Sequence, residues 1–279
     1  MKKLLFLLLW SGAALAQDKS LLWEISSNGL TKPSYVYGTI HLICPKDYFL
    51  TDATKKAITD CEQVYLELDM DDPALMPKMQ QMAFFKDGKK IKDYLTSDQY
   101  ATLAAYFKQK GMNLDMMGGM KPLTLTSMMY MALLSCPPQS YEMVFAQMAS
   151  NTKKEVLGLE TLEAQMGVFD SIPYQKQAEM LVVMAKDGEK SVKEFEKMVA
   201  TYKAQDVEAL LKLMDESEMD FDGYEELLLN NRNAAWIPVM QHAMQARPTF
   251  FAVGAAHLGG EKGVLQLLRK QGYTVRAVL

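Results

Sequence analysis

An apolar strand signal followed by glycine, two residues, histidine and leucine occurs twice in this chain, once near each end. Tyr35-Val36-Tyr37-Gly38-Thr39-Ile40-His41-Leu42 is echoed by Phe251-Ala252-Val253-Gly254-Ala255-Ala256-His257-Leu258. Glycine at the end of a strand lets the backbone turn sharply or lie close to a neighbour or ligand. The histidine three residues later is then held in a loop at the strand's carboxyl end, where ligands bind in open α/β sheets. There are only 3 histidines in the chain, and two of them occupy this same setting. The pair therefore points to one shared site. His242, inside a helical stretch, reads as an ordinary surface residue.

Strand signals lie at both ends and helix signals between them. Residues 21–26 and 34–37 read as short strands joined through Asn28-Gly29, a hairpin turn signal. Further strands are expected at 63–68, 154–157, 249–253 and 273–278. Helices are expected at 51–62, 96–110, 122–134, 141–150, 162–186, 192–203, 207–214, 231–245 and 261–271. Some carry a capping residue such as Thr51 or a terminating glycine such as Gly111. No Gly/Ser/Pro-rich linker divides the chain. The expectation is one α/β domain over 17–279, a central mixed β-sheet with paired strand–GxxH elements near both termini and a large helical insertion.

Residues 1–16, MKKLLFLLLWSGAALA, have the layout of a cleavable signal peptide. Lys2 and Lys3 form the basic start, an apolar stretch follows, and Ala14-Leu15-Ala16 supplies the small-x-small cleavage site. The apolar stretch is too short to span a bilayer, and no later segment is long enough. A periplasmic or secreted protein with no stable membrane span is expected. The formal net charge of −4 and pI near 5.5 argue against nucleic acid as a partner, because phosphate binding needs a basic face. With 49% apolar and 23% charged residues, the chain has ample material for a core. Three cysteines exclude a disulfide-dense scaffold. Cys44 and Cys136 each precede a proline and read as loop residues. Cys61 follows Ala57 and Ile58 at helical spacing and reads as a buried thiol. A Cys44–Cys136 bridge with Cys61 free is expected in an oxidising compartment.

Two imidazoles suit a divalent Mn, Co, Zn or Fe ion, with a carboxylate or water completing the shell. Glu67 is the best acid available. It interrupts the otherwise apolar Val64-Tyr65-Leu66-Glu67-Leu68, and a buried carboxylate needs a metal or donor partner. Glu160, just after the 154–157 strand, is a second ligand, a general base, or an acid at the start of the next helix. Arg232-Asn233, at the start of the helix that carries Trp236, are candidates to orient an anion or a carbonyl. Asp69, Asp71 and Asp72 read as a solvated cap outside the site. The 22 methionines read mostly as helix core, the remainder lining an adaptable groove for unstructured peptide.

Trp23-Glu24-Ile25, Pro33-Ser34-Tyr35, Gly38-Thr39-Ile40-His41, Tyr65-Leu66-Glu67, Gly158-Leu159-Glu160-Thr161, Arg232-Asn233 and Gly254-Ala255-Ala256-His257 follow one another in an order that resembles the TraB/GumN family. That family is similar to the TIKI metalloproteases and, more remotely, to erythromycin esterases and ChaN-like proteins. The resemblance implies an α/β fold, paired GxxH motifs and an acidic residue at a metal site, with His41, Glu67 and His257 carrying it. In the TIKI branch it also implies metal-dependent peptide cleavage. The HExxH motif of common zinc proteases is absent.

These readings combine in a metal-assisted hydrolase with a peptide or protein substrate. His41 and His257 hold a divalent ion (Mn, Co or Zn), Glu67 is third ligand or base, and Arg232 or Asn233 steadies the oxyanion. Two alternatives stay open at this point: a metal-free esterase-like hydrolase, and a haem- or metal-binding protein without turnover.

Overall fold

The computed structural model describes residues 19–216 and 223–279. The expected signal segment lies outside the described residues. The first hairpin forms as the Asn-Gly signal predicts. β1 (Leu22–Ser26) and β2 (Ser34–Thr39) pair antiparallel, and the turn between them places Asn28 and Gly29 at φ 50° and 83°, a region glycine enters without strain.

Helix α1 (Asp52–Asp60) is capped by the Thr51 side chain, which accepts from the Thr54 N–H. Strand β3 (Gln63–Leu66) leads into α2 (Leu75–Met82), α3 (Ser97–Gln109), α4 (Leu114–Met117), α5 (Pro122–Leu133) and α6 (Tyr141–Asn151). After β4 (Glu155–Gly158) come α7 (Leu162–Asp170), α8 (Tyr174–Lys186), α9 (Gly188–Lys203) and α10 (Val207–Asp215). A π-helical turn, Glu226–Asn230, opens directly into α11 (Asn231–Ala246). The chain then forms β5 (Thr249–Gly254), a 3₁₀ turn at Ala255–His257, α12 (Val264–Lys270) and β6 (Thr274–Ala277).

The six strands form one mixed sheet in the order β4-β3-β5-β2-β1-β6. Strands β4, β3, β5 and β2 run parallel, while β1 is antiparallel to both β2 and β6. The decisive step is the insertion of β5 between β3 and β2. It sets Gly38 beside Val253 and Thr39 beside Gly254, so the two GxxH elements from opposite ends of the sequence become neighbours. The carboxyl ends of all four parallel strands then open onto one edge. Phe250, Phe251, Ala252 and Val253 of β5 are buried, as expected for a central parallel strand covered on both faces.

The first GxxH glycine is a packing requirement. A Cβ built on Gly38 would lie 2.9 Å from Leu258 Cδ1 and 3.0 Å from Ala255 Cα, so a side chain there would push the second GxxH turn away from the first.

Several helix boundaries differ from expectation. The single helix expected over 162–186 is two, because Pro173 sits at the N-cap of α8 and its ring and missing N–H interrupt the hydrogen-bond ladder. Helix α9 starts at Gly188 rather than at 192, its first turn held by the Asp187 side chain accepting from the Lys190 N–H. The last helix starts at Val264, after Gly263. Helices α2 and α4 carry no strong periodic signal and were not expected.

A second apolar cluster, separate from the one against the sheet, holds the helical insertion together. Leu103 and Phe107 of α3, Leu125 and Met129 of α5, and Leu181 and Val182 of α8 are buried in it. Met112, Met117, Met120 and Met128 pack against it, while Met116 and Met131 are exposed. Cys44 and Cys136 are disulfide-bonded and Cys61 is a free buried thiol, as their positions predict. His242 is exposed. No helix among the described residues is long and apolar enough to cross a membrane.

Candidate functional site

The parallel edge gathers all six candidate residues. His41 follows β2, Glu67 follows β3, Glu160 follows β4, and His257 ends the turn after β5. Pairing continues past the strands, with Leu159 N–H donating to Leu66 O at 2.8 Å and Glu160 N–H to Glu67 O at 3.1 Å. That register sets the two carboxylates side by side. From the first turn of α11, Arg232 reaches both carboxylates and Asn233 reaches His257.

Gly254 is the centre of the arrangement. Its N–H donates to Glu67 Oε1 at 2.8 Å. A Cβ built on it would stand 3.4 Å from Glu67 Oε1, 3.5 Å from His257 Cδ2 and 3.8 Å from His41 Nε2. The space left by the missing side chain is therefore bordered by both histidines and the glutamate.

Each histidine has its Nδ1 fixed by a different partner. His257 Nδ1 lies 2.6 Å from Asn233 Oδ1. An amide oxygen only accepts, so Nδ1 carries the proton and Nε2 carries the lone pair. His41 Nδ1 donates to Glu142 Oε1 at 2.9 Å, and its ring is 68% exposed. Nδ1 hydrogen-bonded to a carboxylate or carbonyl, with Nε2 facing inward, is the outer-shell pattern of metal-ligating and general-base histidines alike.

Arg232 binds the acidic side of the site. Its Nη2 donates to Glu67 Oε2 at 2.6 Å and to Glu160 Oε1 at 2.6 Å, and Nε donates to Glu160 Oε1 at 3.1 Å. Nη1 donates to Leu228 O at 2.9 Å and to His257 Nε2 at 3.1 Å. The guanidinium also stacks on Trp236, whose ring lies 4.5 Å from that of His257. All five N–H donors of Arg232 are thus engaged by the protein. In this arrangement none is left for a substrate oxyanion, so Arg232 serves as a fixed charge. Asn233, buried and donating to Lys262 O at 3.0 Å, orients His257 rather than facing the open space.

The charges follow from these contacts. Burial opposes ionisation of Glu67, but the positive groups around it (His257 and His41 when protonated, then Arg232) and the Gly254 N–H prevail and hold it at about 2. Burial drives His257 down to about 3, helped by Arg232 and only partly offset by Glu67, so this imidazole is neutral. Enclosure also pushes His41 down, yet the Glu142 charge and hydrogen bond outweigh it and raise it to about 9. Solvent at the exposed ring screens that attraction, and the upward direction stands on the 2.9 Å contact.

Three contributors were not singled out from the sequence. Glu142, in the first turn of α6, accepts from Thr39 Oγ1 at 2.7 Å and Ser140 Oγ at 2.6 Å besides His41. Gln165 of α7 donates to Glu67 Oε2 at 3.1 Å and Glu160 Oε1 at 2.9 Å. Trp236 Nε1 donates to Glu160 Oε2 at 3.3 Å. A helix's first acidic residue is usually explained by its N-terminal dipole. Only the Cys44–Cys136 link, which ties its loop to that of His41, marks Glu142 as different. Among the described residues, no group of three or more His, Cys, Asp or Glu stands where it could hold a metal ion.

The model of the family described as TraB/PrgY/gumN matches residues 21–277, a span that takes in all six strands and every residue of the site. The chain belongs to the TraB/PrgY/gumN family. It is similar to metalloprotease TIKI2 of Danio rerio, 22% identical over 322 residues that cover 92% of this chain and 60% of the relative. Metalloprotease TIKI1 of Homo sapiens is 22% identical over 312 residues, covering 92% and 61%. The chain thus spans about 60% of the length of these relatives. No solved structure matches it.

Proposed function

We propose that this family member is an exported, metal-dependent hydrolase that cleaves peptide bonds at the parallel edge of its sheet. The observation that carries the reading is the convergence of His41, Glu67 and His257 on the open face of Gly254. Support for peptide as substrate comes from the relatives named metalloproteases. Support for export comes from the leader-like first sixteen residues.

The donor set suits a divalent ion of the Mn, Co or Zn class in kind, two imidazoles oriented through Nδ1 and one carboxylate bordering a space that a methyl group would fill, although in this arrangement the three do not stand close enough together to hold one. His41 and Glu67 present donor atoms clear of Arg232, through Nε2 and Oε1. His257 would be the third donor, through the Nε2 that now accepts from Arg232 Nη1. A bound ion supplies there a water of lowered pKa and polarisation of the scissile carbonyl.

The rest of the work falls to the chain's own groups. Glu67, kept ionised by its cationic neighbours, takes the proton from the attacking water unless it is itself a ligand. Gly254 N–H and Gln165 fix that carboxylate. Asn233 holds His257 in one tautomer and Glu142 does the same for His41 Nδ1. Arg232 holds Glu67 and Glu160 together through hydrogen bonds of 2.6 Å to each.

One observation favours a second reading. The His41–Glu142 pair, on an exposed ring, and the Arg232 contact on His257 make an acid–base arrangement that needs no ion, as in an esterase-like hydrolase. Hydrolysis of unstructured peptides by chelator-stripped protein, with and without added Mn or Co, separates the two. Cleavage that depends on the ion and is lost in His41→Ala and Glu67→Gln supports the metal-dependent reading. Equal cleavage in chelator supports the second, and no cleavage in either condition counts against both.

A further inference from the structure

The segment carrying His41 has little structure of its own. Between Thr39 and Asp52 it forms neither helix nor strand, and its backbone meets the segment before α6 at a single isolated bridge. There, Ile43 N–H donates to Gln139 O at 3.1 Å and Gln139 N–H to Ile43 O at 2.8 Å. The Cys44–Cys136 disulfide closes one side of this bridge, and the His41–Glu142 contact lies on the other. Glu142 also receives Thr39 Oγ1 and Ser140 Oγ, one from each segment.

The two sides are anchored unequally. Helix α6 is fixed in the main core by Tyr141, Phe145 and Ala149, all fully buried, so Glu142 sits on a rigid element. Leu42 is only half-buried and the His41 ring is exposed. Tyr141 does hold the later part of the loop, its hydroxyl donating to Phe49 O at 2.7 Å. Ile40 and Ile43 hold the backbone in the main core on either side of His41 and Leu42, so what the clip adds is the orientation of the exposed ring between them.

We propose that the Cys44–Cys136 disulfide and Glu142 act together as a positioning clip for His41, so that presentation of its Nε2 to Gly254 and Glu67 requires the oxidised bridge. The inference rests on the reading of His41 as a working residue of the site. It assigns Glu142 as a positioning residue and gives the site a dependence on thiol redox state. Reduction by a dithiol such as dithiothreitol transfers two electrons, converts the bridge to two cysteine thiols and closes the reductant to its cyclic disulfide. With the covalent link gone, the loop is held against the segment before α6 by burial of Ile43 and the two Ile43–Gln139 hydrogen bonds, which permit local opening that the bridge does not.

The test is ring N–H spectroscopy on the full chain labelled with 15N-histidine, the His41 signal being assigned with His41→Asn. Oxidised protein is expected to show a protected, downfield Nδ1–H for His41. Glu142→Gln, which keeps an acceptor oxygen, retains the signal and Glu142→Ala loses it. Dithiothreitol, or Cys44→Ser with Cys136→Ser, removes the signal while far-UV circular dichroism and Trp236 emission stay native. A signal equally protected in the reduced, folded protein overturns the proposal. So does loss of the whole fold on reduction at a temperature where the oxidised protein is native, since the bridge is then a general stabiliser. If the spectra behave as expected while His41→Ala leaves peptide hydrolysis unchanged, the functional reading fails and the clip remains as geometry. His41 then has no working role, which overturns the positioning claim but not the contact.

Discussion

Arg232 donates through Nη1 to Nε2 of His257 at 3.1 Å, placing a guanidinium on the lone pair that a metal ion would use. The same guanidinium lies 2.6 Å from Glu67 and from Glu160. It is both the counter-ion of the two carboxylates and a competitor for one ligand.

Replacing Arg232 separates these roles. Arg232→Gln leaves Glu67 and Glu160 buried without their cation, a loss of about 3–5 kcal/mol for a broken buried pair. The metal-free variant is expected to melt well below the wild type. Added Co or Mn is expected to raise its melting temperature more than that of the wild type, because the ion replaces the missing charge and meets no competitor at His257. An equal rise in both proteins contradicts the competition.

Gly254 tests the geometry with a single methyl group. Its φ of −50° suits any residue, and the Cβ of Gly254→Ala clears its neighbours at 3.4 Å or more, so the variant is expected to fold with little change in stability. The methyl group occupies the space between His41, Glu67 and His257. Ion binding should weaken by about tenfold or more, roughly 1.4 kcal/mol, and hydrolysis should fall with it. Isothermal titration with Co reads the first effect, and wild-type affinity in a folded Gly254→Ala would show that this space is not the site.

The two GxxH histidines give opposite pH dependences to the stability of metal-free protein. His257 falls from 6.5 to about 3 in the fold. Between those values the unfolded chain binds a proton that the native site refuses, so stability is lost as pH drops through that window. His41 rises from 6.5 to about 9, so its contribution is complete below 6.5 and disappears as pH rises toward 9. Solvent screening of the exposed ring makes the alkaline limb the smaller one. Urea midpoints measured across pH should show both limbs. His257→Gln is expected to reduce the acid limb, leaving the part below about 4.5 that Glu67 contributes, and an unchanged acid limb would place its origin elsewhere.

Cys61 should be silent. It is 2% exposed, and burial above all pushes its thiol up to about 12, while the other two cysteines are bridged. Thiol titration with Ellman's reagent near pH 8 is expected to find no fast-reacting group in native protein and one per chain after denaturation. A fast native reaction would mean that the thiol is exposed or that the bridge is open.

Much of this site could be read from the residue order. Gly38 and Gly254 stand where strands must approach one another or the site without a Cβ, and Glu67 is an acid in the apolar run that continues β3, so each breaks a local pattern that packing alone would keep. What local pattern does not encode is strand order. Nothing in 249–254 says that β5 enters between β2 and β3, yet that step alone makes His41 and His257 neighbours. The role of Glu142 was hidden for a related reason: an acid in a helix's first turn already has a local explanation, and its contact with His41 spans 101 residues. The saturation of Arg232 was equally illegible, since its partners, Glu67, Glu160, His257 and Leu228 O, come together only in the fold. The split at Pro173 was visible in the sequence, and apolar periodicity across 162–186 masked it.

The central claim is that His41 and His257 serve one ion. Elemental analysis of the protein after export and purification, beside folded His41→Ala and His257→Ala, tests it most directly. The account predicts near-stoichiometric Mn, Co or Zn in the wild type after reconstitution and loss of that ion in both variants. A wild type that stays metal-free, or variants that keep their ion, would contradict it.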